Sequence, residues 1–332
     1  TIEFGTAGMR GLLGPGTNRI NIHTIRKATQ GYANYINENN GCEAGIAIGY
    51  DNRHMSKEFA FDCADLLAKN NIKSYVFESL RPTPELSFAV RHLKCFGGIM
   101  ITASHNPKEY NGYKLYDSKG CQLIPCLASQ VIERVNAIED ELAIDANCTE
   151  EQKKLITVIG KDVDEEYYKN VLSIQLNPEV KKDIKIVFSP EHGTANIPVQ
   201  EVYKRAGYTC IPVVEQCSPD PDFSNTPTPN PEQAGAYELS LKYAKENHAD
   251  LILVCDPDAD RMGVGVLHNG EYVVLTGNQS GSVEIEYICS QLQKQGKMPE
   301  NPVMFNTVVT SDLGEKVASD YGVSTEKTLT GF

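Results

Sequence analysis

The amino-acid sequence predicts an α/β protein made of consecutive domains, each a mixed, mostly parallel sheet sandwiched by helices. Two features carry that expectation. The strand-like stretches are continuous apolar runs, the pattern of strands buried on both faces, rather than alternating ones. They also take turns with stretches whose apolar residues recur every three or four positions, which is the rhythm of a parallel sheet with crossover helices.

The rhythm opens with Ile22, Ile25, Ala28, Tyr32, Tyr35 and Ile36 at helical spacing, followed by "AGIAIGY" as a short buried strand ending at Asp51. A helix over 59–69, a strand "IKSYVF", a helix from Pro84 through "ELSFAVRHL" and a strand "GGIMIT" come next. A charged stretch over about 132–168 reads as helix and as the exit from the first domain. Then the pattern restarts: "IKIVFS", "YTCIPVV" and "ADLILVC" read as strands, with helices over about 197–206 and 232–247 between them. Proline-rich "SPDPDFSNTPTPNP" reads as a surface loop, because regular structure resumes on either side. From Val303 a further unit begins with "VMFNTVV" and a helix over 312–321. The expected domains are 1–175, 176–298 and the opening of a third, 299–332.

Composition narrows the class of partner. With 332 residues and 41% hydrophobic content the chain can bury more than one core. A formal charge of −13 argues against a general nucleic-acid or acidic-membrane binder, since phosphate backbones are held mainly by Lys and Arg. An anionic ligand must therefore meet a local cationic pocket. Ten cysteines without a C-x-x-C pair fit reduced thiols and a cytoplasmic setting. No run approaches the ~20 apolar residues of a membrane span. The chain starts at Thr1 and stops at "TLTGF", which reads as a fragment of a longer protein.

Three stretches bear chemistry. Ser104, in "TASHNP", lies just past "GGIMIT" and so emerges at the carboxyl end of a parallel strand, where doubly wound sheets place their ligands. Alone, the stretch reads equally as a polar turn. A protease-like Ser104–His105 pair is not expected, because neighbouring side chains diverge in extended chain and no G-x-S-x-G elbow is present. In "ADLILVCDPDADRMGVGV", Asp256, Asp258 and Asp260 follow an apolar strand at two-residue spacing, so in extended chain their carboxylates share a face. A divalent cation is the simplest counter-charge; the Gly and Glu of an EF-hand loop are replaced by Arg261 and Leu267, and three oxygens with open positions suit Mg²⁺. In "EFGTAGMRG", glycines flank Arg10, whose planar fork suits phosphate. Together the three suggest that Ser104 carries a phosphoryl group, which needs no base to activate it and is stabilised by the metal and by cations such as Lys114.

At these stretches the chain resembles the α-D-phosphohexomutase superfamily, in its phosphoglucomutase and phosphopentomutase branch. "TASHNP" with the lysine of "NGYKLY", and "DPDADR", carry the resemblance; "FGTAGMRG", "RPTPELSFAVR" and "TGNQSG" point to the branch. It implies a phosphoglucomutase-like fold of four α/β domains around one cleft, with the phosphoserine loop in the first, the metal loop in the second, the third begun and the fourth absent here. It implies that Ser104 is the phosphoserine, whose phosphate completes a Mg²⁺ site made by Asp256, Asp258 and Asp260. Arg261 is then expected to bind phosphate near the metal, and Arg10, His105 and Lys114 to contact phosphoserine or substrate and assist proton transfer. Thr330 is expected to touch substrate. His105 is also compatible with merely orienting the serine loop, and Arg19 and Arg53 read as solvated or loop-bracing. "SPEHGTAN" reads as a strand-to-helix turn rather than a phosphate cradle.

The implied reaction is interconversion of α-D-glucose 1-phosphate and glucose 6-phosphate through glucose 1,6-bisphosphate, an isomerisation of a small-molecule sugar phosphate. Phosphopentomutase and phosphomannomutase activities stay open, as do a phosphatase-like hydrolase and a metal- and phosphate-binding fragment without turnover.

Overall fold

The computed structural model describes residues 2, 3 and 8–330. Residues 4–7 of the "FGTAGMRG" stretch and the last two of "TLTGF" lie outside them. The elements in chain order are β1 (Met9–Leu12), α1 (Ile22–Glu38), β2 (Ile46–Tyr50), α2 (Ser56–Lys69), β3 (Ser74–Phe77), α3 (Thr83–His92), β4 (Gly97–Ile101), β5 (Tyr110–Tyr116), α4 (Pro125–Asn136), α5 (Glu150–Lys153), β6 (Ile156–Ile159) and α6 (Lys161–Ser173). After these come β7 (Lys185–Ser189), α7 (Asn196–Ala206), β8 (Thr209–Pro212), α8 (Glu238–Asn247), β9 (Leu251–Cys255), β10 (Met262–His268), β11 (Glu271–Leu275) and α9 (Gly277–Lys294). The chain finishes with β12 (Val303–Thr307), α10 (Leu313–Asp320) and β13 (Ser324–Thr328).

The first sheet runs β1-β5-β4-β2-β3-β6, parallel from β4 to β6, with β5 antiparallel to β4 and β1. The second runs β11-β10-β9-β7-β8, parallel from β9 to β8 and antiparallel beyond. A short parallel pair, β12-β13, forms the third. Both large sheets are thus mixed, as expected; the first is mostly parallel, and the second is divided evenly between two parallel and two antiparallel pairings. The antiparallel β5 carries no continuous apolar run and is spelled "YNGYKLY".

Pleating explains why β2 is buried along its whole length. Ile46, Ile48 and Tyr50 point into a core shared with α1, α2 and α4, while Ala47 points into a second core shared with α3 and α6. The second sheet repeats this: Ile186 and Phe188 join the core beneath α7, and Val187 the core beneath α8. At the start of α1, Asn21 accepts from the backbone N–H groups of His23 and Thr24 while the Thr24 hydroxyl accepts from Asn21 N, a reciprocal cap that fixes where the helix begins.

One expectation needs correction. The charged stretch after α4 is not a continuous helix: it holds β6, whose "ITVI" pairs in parallel with β3 at the sheet edge. All four of its residues are β-branched and favour the pleated surface, and the flanking charges conceal them. Among the described residues no helix is long and apolar enough to cross a membrane.

Helices α1 and α4 approach closely at Gly31, where an added Cβ would stand 2.8 Å from the Cα of Val135. Gly31→Ala gains about 1 kcal/mol of helix propensity but meets an overpacking cost of about 1–3 kcal/mol. The expected outcome is a net loss of stability, read as a lower denaturation midpoint with an unchanged slope.

Candidate active site

The carboxyl ends of β4 and β9 face each other, so the loops that follow them meet. Ser104 comes three residues after β4 and is wholly buried, with a left-handed backbone at φ +53°. Its N–H donates to the Thr102 hydroxyl at 2.8 Å, and its own hydroxyl donates to Asp256 Oδ2 at 2.8 Å. The neighbouring His105 does not diverge, as extended chain would require. The left-handed turn swings its Nδ1 to 3.1 Å from Ser104 Oγ. Ser104 Oγ thus sits between His105 Nδ1 and Asp256 Oδ2, within hydrogen-bond reach of both.

The acidic stretch also departs from extended geometry. Asp256 to Asp260 form a turn with Ala259 at φ +55°, and it is this turn, not a strand pleat, that gathers the carboxylates. One oxygen from each lies within 4.8 Å of the others. Burial, then the charges of Asp258 and Asp260, push the Asp256 carboxyl well above the usual range. Burial works the same way on Asp258, but Lys114 on β5 overrides it and holds that carboxyl down at about 2. Lys114 Nζ stands 3.1 Å from Asp258 Oδ2 and 3.4 Å from Asp260 Oδ2.

Asp258 Oδ1 and Asp260 Oδ1 are buried without a hydrogen-bond partner among the described residues. An unpaired buried carboxylate oxygen is costly, and two of them beside a third carboxylate form an all-oxygen donor set suited to a hard divalent cation. The residues present therefore fit Mg²⁺.

Arg261 donates its backbone N–H to Asp256 Oδ1 at 3.1 Å, while its half-exposed guanidinium faces Glu232 at 3.6 Å. Arg10, on β1 and exposed, reaches the serine loop by donating to Asn106 Oδ1 at 3.0 Å. The structure thus brings together Ser104, His105, Lys114, Arg10, Arg261 and the three aspartates. Thr330 lies elsewhere, exposed two residues past β13 in the third unit. Arg19 is exposed. Arg53 is not solvated; it is buried beneath the serine loop.

Two groups at the seam carry no signal strong enough to single out from sequence. Thr83 donates its N–H to Asp258 O at 2.9 Å and its hydroxyl to Asp258 Oδ2 at 3.0 Å. Its prolines on both sides and its place at the start of α3 hint at a rigid presentation. The "SPEHGTAN" turn supports the aspartates from behind: Thr194 donates N–H and hydroxyl to Pro257 O, and a Cβ on Gly193 would meet the Pro257 backbone at 2.5 Å.

The fold and site together describe a pair of α/β/α domains with one buried centre at their seam. The family model for phosphoglucomutase/phosphomannomutase α/β/α domain I matches residues 1–142, and that for domain II matches 165–269. The chain belongs to the phosphoglucomutase/phosphomannomutase family. It is 37% identical to a phosphoglucomutase from Staphylococcus epidermidis over the whole chain, which spans 60% of that relative. In structure it is similar to the exocytosis-sensitive phosphoprotein parafusin, a phosphoglucomutase from Paramecium in an open form, with TM-score 0.74, 21% identity and coverage of 99% of this chain and 62% of that one. It is also similar to an N-acetylphosphoglucosamine mutase from Aspergillus fumigatus in complex with GlcNAc-6P and magnesium, with TM-score 0.55, 15% identity and coverage of 99% and 62%.

The same "RPTP" segment that holds Thr83 is anchored by Arg81, whose guanidinium clasps Asp164 on α6 at 2.7 and 2.9 Å. Glu85 is fully buried beside that pair, and burial together with Asp164 pushes its carboxyl up to about 9 from an ordinary 4.5. Between those values the native protein keeps a proton that the unfolded chain releases, so this group lowers stability as pH rises through the window. Denaturant unfolding of Glu85→Gln at pH 6 and pH 9 is expected to show a smaller fall with pH than the parent.

Proposed function

We propose that the full-length protein is a phosphoglucomutase, interconverting α-D-glucose 1-phosphate and glucose 6-phosphate. The observation that carries this reading is the Ser104 hydroxyl 2.8 Å from Asp256, at a three-aspartate cluster with two unsatisfied oxygens. The choice of glucose follows the curated relatives, which are phosphoglucomutases and longer than this chain. On this reading residues 1–175 and 176–298 are the phosphoserine and metal domains, 299–332 opens a third domain, and the rest of the full-length chain completes the cleft. The ten free cysteines are consistent with a reducing, cytoplasmic compartment.

Ser104 works as a carrier. In its phosphorylated form the P–Oγ bond breaks and a bond from phosphorus to the free sugar hydroxyl forms, giving glucose 1,6-bisphosphate; that intermediate turns over and returns its other phosphate to Oγ. The sugar hydroxyl loses its proton as the bond to phosphorus forms and the departing Ser104 Oγ takes one up, a transfer that His105 beside Oγ can assist, while Lys114, paired with Asp258, balances charge; the return step runs the same exchange in reverse. Arg10 and Arg261 supply cationic contacts for phosphate, and Thr330 a substrate contact from the third domain. Asp256, Asp258, Asp260 and the phosphate on Ser104 would hold Mg²⁺, which would supply charge stabilisation for phosphoryl transfer. Such chemistry asks for positioning and a dry site more than for covalent work by other side chains.

Three measurements on the full-length protein test this. Intact and peptide mass analysis should find one phosphate on the peptide containing Ser104, and Ser104→Ala should abolish both that mass and turnover of glucose 1-phosphate while the circular dichroism spectrum is kept. Asp258→Asn should cut kcat by about 10²-fold or more and raise the Mg²⁺ needed for half-activity. Chelation of divalent ions should stop the parent reversibly; a parent that turns over sugar phosphate at full rate in chelator would exclude the metal role.

A further inference from the structure

Arg53 lies at the bottom of the site, with a side chain that is 0% exposed. Its guanidinium is used up almost completely by backbone. Nη2 donates to Ser104 O at 2.6 Å and to Asn106 O at 2.5 Å; Nη1 donates to Pro107 O at 2.8 Å and Tyr110 O at 3.0 Å. The remaining edge, Nε, faces Asp51 Oδ2 at 3.3 Å. Asp51 is itself held by the Arg53 N–H and the Ser56 hydroxyl. Above the guanidinium sits the ring of Phe223, 5.2 Å from Cζ to centroid, delivered from the proline-rich loop of the second domain.

We propose that Arg53 is a positioning residue for phosphoryl transfer, acting through Ser104, and that Phe223 makes that positioning depend on the second domain. This rests on the phosphoserine reading above. The physical case is one of geometry against strain. Ser104 is held at φ +53°, a conformation that a non-glycine residue adopts only when its surroundings impose it. The carbonyl of that strained residue is one of the four that Arg53 gathers, and the others follow within six residues along the same loop.

A planar fork with separate donors can satisfy four carbonyls pointing inward from one loop; a lysine, with three donors on one atom, cannot. The loop thereby keeps its serine aimed at Asp256 rather than relaxing to extended chain. Phe223 is 4% exposed and itself left-handed at φ +51°, and its loop is tied to the serine side by Asn52 donating to Asp220 O at 2.9 Å and Lys108 facing Asp222 at 3.2 Å. The ring face thus closes over a cation that is already desolvated, where cation–π attraction is strongest.

The test uses full-length protein and two variants. Arg53→Lys keeps the charge opposite Asp51 but not the fork, and Phe223→Leu keeps an apolar side chain but not the ring face. Misplacement of a reacting group by about 1 Å costs about 10²-fold, so kcat of folded Arg53→Lys is expected to fall by about that factor with KM within about threefold. Amide hydrogen exchange over residues 104–110 should rise about tenfold while exchange in β2 and α2 stays at the parent level. Phe223→Leu should move both readouts the same way by about three- to tenfold. Unchanged exchange over 104–110 in Arg53→Lys, or kcat within about threefold of the parent, overturns the positioning role. If Arg53→Lys fails to fold, Phe223→Leu decides by the same two readouts. A parent without mutase turnover defeats the functional reading instead, and the exchange measurement still decides whether Arg53 fixes the loop.

Discussion

Asp256, Asp258 and Asp260 are gathered out of water within 4.8 Å of one another, and the two large domains must be assembled so as to make that tolerable. Removing a carboxylate from solvent without a partner costs several kcal/mol, and close neighbours of like charge add to it. Part of the compensation comes from the other domain: Lys114 on β5 and Thr83 at the start of α3 both reach Asp258 across the seam. Ser104 does the same for Asp256. Charge balance at the centre therefore ties the two sheets together, and the contact between domains is inseparable from the site. One oxygen each on Asp258 and Asp260 is left without a hydrogen bond among the described residues, and with Asp256 they form a donor set suited to a divalent cation.

Backbone conformation at the seam reflects the same demand. Left-handed residues that are not glycine cluster there: Ser104, Ala259, Glu191, His192 and Phe223. Each turns the chain sharply after a strand or within a loop; Ser104 is held from outside its own turn by Arg53 and Asp256, and His192 by Gln216 and Ser218. Gly193 lets the 190s turn press against Pro257, Thr194 fastens that contact, and Arg53 gathers the carbonyls of the serine loop. Strain of this kind persists only where the surroundings over-determine it, and here those surroundings include both domains.

Most of the architecture is legible in residue order. Apolar runs such as "AGIAIGY", "GGIMIT" and "ADLILVC" can be satisfied only between two helical layers, so the parallel strands of both sheets and the exits of Ser104 and Asp256 at strand carboxyl ends were readable from residue order. The acidic triplet and the serine stretch were legible as chemistry for a similar reason, because carboxylates at such spacing demand a counter-charge wherever the chain takes them. Strands without a continuous apolar run were not legible: β5 interleaves polar residues, of which Lys114 is buried against the aspartates and Asn111 against the start of α2, and β6 hides among charges.

How the parts meet is set by long-range contacts in the folded chain. Pattern carries no information about contacts between residues 150 positions apart, such as Ser104 with Asp256, nor about which arginines are buried. The pairing of Ser104 with His105 depends on a left-handed turn that extended-chain reasoning excludes, and the convergence of the aspartates depends on another at Ala259. Those turns are imposed by long-range packing and hydrogen bonds rather than by local preference, and for that reason the folded protein alone reveals them.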